Sequence, residues 1–85
     1  MQQIDTETLE REVKEAISKI MEVDVAKISA NARLSEDLGA DSMMALELMV
    51  ALDKKYEIDI AETDLPKMTT VSEIVKIITK LLNHA

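Results

Sequence analysis

The chain contains no cysteine, no tryptophan and no phenylalanine, and only one glycine, one proline and one tyrosine. Each scarcity closes off a class of protein. Without cysteine there is no disulfide scaffold, no thiolate-held metal and no cysteine nucleophile. With Gly39 and Pro66 alone of their kinds, the chain lacks the turn residues that an all-β fold needs. With Tyr56 the sole aromatic, the core has to be built from Leu, Ile, Val, Met and Ala. The longest apolar run, residues 48–52, is five residues long, too short to cross a bilayer. Positive charge is also in deficit. Ten Lys and Arg against 17 Asp and Glu give a net charge of −7. That charge repels phosphates and argues against a nucleic-acid partner; it suits a partner with a basic docking surface. Residues 1–5 have neither the basic nor the apolar region of a secretory signal, which makes the cytoplasm the expected location.

What is present fits one small domain spanning residues 1–85. A hydrophobic fraction of 47% is too high for a disordered acidic tail. Leu9, Val13, Ala16, Ile17, Ile20 and Met21 recur in steps of three and four and predict a first helix over residues 6–22. Asp5 or Thr6 suits its start, and Glu7 and Glu10 suit the positive end of its dipole. Residues 23–41 follow no clean period. They form a long connection, expected to be pinned to the core by Val25, Ile28, Leu34 and Leu38, and loops of that length are often functional. A second helix is expected over residues 42–56, capped by Asp41, with Gly39 supplying the freedom for a sharp entry. Residues 61–65 suit one short helical turn, closed by Pro66. Thr70-Val71-Ser72-Glu73 has the pattern of a capping box, and a last helix follows it to about residue 83. The expected fold is all-α: a small four-helix bundle with three main helices, one short helix and a long loop between helices one and two.

Helix two carries the most information. Ala45, Leu48, Met49, Leu52 and Tyr56 fall on one side and suffice as a core stripe. Met43, Leu46 and Val50 fall on the opposite side, beside Glu47 and Lys54. Either the bundle buries this helix fully, or the second strip is an exposed partner surface. The strip begins at Ser42. Asp41 and Ser42 are both good cap residues, so capping alone can explain the pair. The alternative is a modified serine, since a hydroxyl at a helix start is accessible and the N–H groups there favour a phosphate ester.

Asp37-Leu38-Gly39-Ala40-Asp41-Ser42 resembles the prosthetic-group attachment motif of the acyl carrier proteins. The resemblance extends over nearly the whole chain, through Val23-Asp24, Lys27-Ile28, Glu47-Leu48, Ala51-Leu52 and Lys67-Met68-Thr69-Thr70-Val71. It implies that Ser42 carries 4′-phosphopantetheine, derived from coenzyme A and attached by a separate phosphopantetheinyl transferase. The chain is then not an enzyme but a carrier of acyl thioesters. The cofactor would supply the thiol that the sequence lacks, and nothing in the sequence activates Ser42 as a nucleophile. The only histidine, His84, is expected to be a frayed terminal residue. The implied partners are acyl-transferring and acyl-modifying enzymes of fatty-acid, lipid or polyketide biosynthesis, with basic or apolar docking patches, and the carrier is expected to be a monomer.

Within that resemblance Glu36, Asp37, Asp41, Glu47, Glu62 and Asp64 are the candidates for an acidic docking surface. Met43, Leu46 and Val50 are the expected apolar contacts. Met49, Leu52, Ile60 and Met68 are expected to line the region where an acyl chain inserts, or else to be ordinary core. Asp59, Glu62 and Asp64 lack any pattern for a strong cation site. Met44, Lys54 and Lys55 depart from the family's fatty-acid carriers, which are commonly acidic at those places, and predict a different choice of partner. Two rival readings remain open: an aminoacyl or peptidyl carrier of the same fold, and a helical interaction module with Ser42 as a mere cap.

Overall fold

The computed structural model describes residues 4–83. Three α-helices, α1 (Thr6–Met21), α2 (Ser42–Tyr56) and α3 (Val71–Asn83), are joined by connections holding two short 3₁₀ segments, Val25–Lys27 and Glu62–Lys67. Among the described residues the only extended pairing is an isolated antiparallel bridge between Arg33 and Thr70.

The α1 start follows from Asp5. Its carboxylate accepts from the Glu7 N–H at 3.0 Å and from the Thr8 hydroxyl at 2.8 Å, satisfying donors that the first turn leaves unpaired. Leu9, Val13 and Ile17 then enter the core at steps of four. The helix stops at Met21, one residue earlier than expected, because Glu22 turns into the left-handed region at φ 56°. At the end of α2 the same conformation falls on Glu57, φ 54°.

Both positions are the kind that glycine usually fills, and at both a carboxylate also faces the negative end of a helix dipole. Glu22→Gly and Glu57→Gly are each expected to raise stability by about 0.5–1 kcal/mol, the removed strain and repulsion outweighing glycine's extra chain entropy. Urea midpoints should rise with unchanged slopes; lower midpoints for both variants would contradict the assignment.

All three helices face one aliphatic core. Leu52, Ile74, Ile78, Val13 and Val71 have no exposed surface. Tyr56, at its edge, donates its hydroxyl to Glu12 Oε1 at 2.6 Å and ties α2 to α1. Burial, and then the Glu12 carboxylate, push its phenol far above the usual range, so it stays a neutral donor. At the start of α3 the Thr70 hydroxyl accepts from the Glu73 N–H at 3.2 Å, as the capping pattern predicts.

The bundle is the expected one, with two corrections. The short element is a 3₁₀ segment, and Pro66 lies inside it rather than closing it. In i→i+3 bonding, shown by Asp64 N–H to the Ala61 carbonyl at 2.9 Å and Met68 N–H to Leu65 at 3.1 Å, proline's fixed φ is compatible and its missing donor removes a single bond. In the long connection, Ile28 and Leu34 are buried and Leu38 is half-buried, but Val25 is 37% exposed. Val25 heads a one-turn 3₁₀ segment capped by Asp24, and Ile28, where the chain leaves that turn, takes the inward place. The connection is also held by backbone bonds: Leu34 N–H to the Thr69 carbonyl at 2.9 Å and Ser72 N–H to Ala30 at 3.0 Å.

Candidate functional site

The loop before α2 is built from its own backbone outward. The Arg33 carbonyl accepts from the N–H groups of Asp37 at 2.8 Å and Leu38 at 3.2 Å, and the Leu34 carbonyl accepts from Ala40 at 2.8 Å. Gly39 sits at φ +77°, and no atom lies within 4 Å of where a Cβ would be. Backbone conformation, not lack of space, is what calls for glycine there. The turn delivers Asp41 to the helix start. Its carboxylate accepts from the Met44 N–H at 2.9 Å, and its carbonyl from Ala45 at 3.0 Å.

That assignment separates the two readings of the Asp41-Ser42 pair. Asp41 performs the capping, whereas Ser42 is the first residue of α2 and is exposed. Its hydroxyl stands at the positive end of the dipole, free of the cap role that would have explained it.

Ser42 opens onto a groove of about 540 Å³. One wall is the loop, with Arg33 and Ala40; another is the first turn of α2, through Ala45; the third is Leu65, Pro66, Met68, Thr69 and Thr70 from the segment before α3. A flexible group attached to Ser42 would have a trough of mixed polar and apolar lining beside it, so these residues fit a long substituent at this hydroxyl. All four residues expected to line an acyl site, Met49, Leu52, Ile60 and Met68, are buried in the core, and of them Met68 also borders the groove. Leu65, Pro66, Thr69 and Thr70 are additions from a segment more than twenty residues along the chain from Ser42. Their place beside the serine comes from tertiary packing and has no local sequence signature.

On α2, Met43 is 67% exposed, Leu46 41% and Val50 45%. The second strip is therefore a real surface running from Ser42 down the helix. Met44 does not join it. It is half-buried and lines a cavity of about 10 Å³ against Ile17, Ile20 and Met21 of α1.

Charge is distributed less simply than the count of acids implies. Arg33 engages both acids of the loop. Its guanidinium donates to Asp37 Oδ2 at 3.2 Å, to Asp37 Oδ1 at 3.1 Å and to Glu36 Oε2 at 2.6 Å. Its backbone N–H adds a 2.9 Å bond to Asp37. The Arg33 side chain, and then that N–H, hold the Asp37 carboxyl below its ordinary value of 3.8. A depressed carboxylate contributes stability above that ordinary value and loses it only as pH falls through the lower folded one, so the pairing is complete at neutral pH. Asp64 lies 3.8 Å from Lys67. Asp41, Glu47 and Glu62 have no cationic partner among the described residues. Lys54 and Lys55 are exposed at the far end of α2. No three acidic or histidine side chains gather into a metal site among the described residues, and His84 lies outside them.

Comparison with known proteins settles the family. Residues 11–78 match the profile described as "Phosphopantetheine attachment site". The chain belongs to the acyl carrier proteins. It is 37% identical over 67 residues to the acyl carrier protein of Buchnera aphidicola subsp. Schizaphis graminum, covering 79% of this chain and 85% of the relative. It is 38% identical over 73 residues to that of Rickettsia typhi, covering 86% and 85%. It is 34% identical over 83 residues to the polyketide-8 synthase acyl carrier protein 2 of Streptomyces avermitilis, covering 96% and 95%. Its cofactor is therefore phosphopantetheine, and this acyl carrier protein is a carrier rather than an enzyme. Among its described residues no helix is long and apolar enough to cross a membrane.

Proposed function

We propose that Ser42 is the residue that bears 4′-phosphopantetheine, and that the protein presents acyl groups to enzymes of fatty-acid, lipid or polyketide biosynthesis, as a cytoplasmic monomer. The observation that carries this reading is the division of labour at the start of α2: Asp41 caps, and Ser42 is exposed at the mouth of the groove. The attached group supplies a thiol on a flexible arm, to which an acyl chain is held as a thioester. The chain's own residues do the rest. The α2 N-terminus stabilises the negative phosphodiester. The Gly39 turn and the Asp41 cap hold the serine in place, and the groove offers the arm a wall to lie against. Incubating the protein, once modified, separately with acyl donors and with an adenylating enzyme and amino acids tests the cargo. Acyl loading is expected; exclusive aminoacyl loading would make it a carrier of the other class.

Partner choice is expected to follow from α2. Its apolar strip starts beside acids at Ser42 and ends beside Lys54 and Lys55. A partner with a uniformly basic patch meets those lysines as like charges, which slows association and suppresses wrong pairings. Met44, half-buried against α1, offers little surface to such a partner, and an aspartate there would enter the apolar contact with Ile17 and Ile20. The variant Lys54→Glu/Lys55→Glu is expected to be the better substrate for a basic-faced ketosynthase, by about fivefold at low salt, given 0–1 kcal/mol per exposed pair. The advantage should shrink as salt rises. Equal turnover of variant and native protein at every salt concentration would contradict it.

A further inference from the structure

Arg33 belongs to no motif and lies nine residues before Ser42 in sequence, yet it borders the same groove. Three carboxylates flank that serine in the loop and at the cap: Glu36, Asp37 and Asp41. Two of them end on the Arg33 guanidinium, with Asp37 held through both oxygens.

Most exposed ion pairs are transient, because ordering two long side chains costs entropy. This one is anchored at its base. The Arg33 N–H and carbonyl are both bonded within the same turn, to the Asp37 carboxylate and to the Asp37 and Leu38 N–H groups. Its neighbour Leu34 donates to Thr69, and Arg33 itself forms an antiparallel backbone bridge with Thr70. The planar fork then meets Asp37 in the two-point geometry that lysine cannot reproduce. Arg33, Glu36 and Asp37 remain 56%, 67% and 43% exposed, so the pairing lies on the surface that an incoming molecule meets.

We infer that Arg33 is a specificity-determining residue of the Ser42 face: it cancels part of the loop's negative charge and so weakens the approach of cationic partners to the serine. The inference rests on the reading of Ser42 as the modified residue. The chemistry of the relevant partner follows from that reading. Coenzyme A carries several phosphate groups, so any transferase that brings it to Ser42 must present positive charge at the point of approach. Arg33, Glu36, Asp37 and Asp41 together sum to −2; without Arg33 the three acids sum to −3. A charge at the rim of an interface acts on association rate and on salt dependence.

The test is the transfer of phosphopantetheine from coenzyme A to the native protein, to Arg33→Gln and to Arg33→Lys, by one purified phosphopantetheinyl transferase. KM for the carrier and kcat are measured at about 0.01 M and about 0.15 M salt, where the Debye length falls from about 30 to about 8 Å. Arg33→Gln is expected to lower KM by about two- to fivefold at the lower salt, with kcat unchanged and the gain reduced at the higher salt. Arg33→Lys, which keeps the charge but not the two-point contact, is expected to stay closer to the native protein than to Arg33→Gln. A raised KM or lowered kcat for Arg33→Gln at both salts would show that Arg33 holds the loop instead, and would overturn the inference. So would an unchanged KM, or a lysine variant that behaves like the glutamine one. Failure of the native protein to accept the group at all would strike the reading of Ser42, before any variant is compared.

Discussion

Leu52→Ala is expected to destabilise the protein by about 2–5 kcal/mol, the range for truncating a fully buried leucine. Leu52 has no exposed surface and lies on the face of α2 that meets the shared core. The size of the effect depends on what surrounds it. The core that holds it is built from Leu, Ile, Val and Met side chains with Tyr56, and such a core relaxes only partly into the cavity that a truncation leaves. Domains of this size hold roughly 5 kcal/mol or somewhat more in total, so the variant should be substantially unfolded at room temperature or close to it. Val50→Ala, two residues earlier on the 45% exposed side, provides the contrast and is expected to cost about 0.5 kcal/mol or less. Urea titration of the two variants checks both figures. Equal midpoints would mean that the two faces of α2 have been assigned wrongly.

The two faces of α2 were legible because both patterns occupy one fifteen-residue helix. Leu48, Leu52 and Tyr56 share a side at four-residue spacing, and Met43, Leu46 and Val50 lie across from them. The helix bounds were equally plain, since Gly39 and Asp41 mark its start by turn and cap chemistry. What stayed hidden has physical reasons. A 3₁₀ segment of three or six residues is too short to show a period, and Pro66, a stop signal for an α-helix, is compatible with the tighter turn. Val25 looked like an anchor because valine is apolar, but a single turn has room for one inward residue, and Ile28 takes it. The groove beside Ser42 joins the loop to Leu65, Thr69 and Thr70, an adjacency created by packing. Likewise, six acids looked like one docking surface, while Arg33 and Lys67 pair with three of them: Glu36, Asp37 and Asp64. The spacing of Arg33 to Glu36 and Asp37, three and four residues, was visible in the sequence. In a loop without helical periodicity it carried no weight until the turn was seen.

Ser42→Ala is expected to abolish modification while leaving the fold intact. The α2 cap is Asp41, which the substitution does not touch, and alanine is a good residue for a first helical turn. The urea midpoint should therefore stay within about 0.5 kcal/mol of the native protein, so that loss of modification cannot be ascribed to unfolding. Ser35 supplies the control, since it is exposed and borders the same groove; Ser35→Ala should be modified as the native chain is. The decisive measurement is intact-mass and fragment mass spectrometry of the native protein and the two variants after incubation with coenzyme A and a phosphopantetheinyl transferase. One phosphopantetheine group is expected, located on Ser42, in the native protein and in Ser35→Ala, and none in Ser42→Ala. A group on Ser18, Ser29, Ser35 or Ser72, or one that persists in Ser42→Ala, would contradict this.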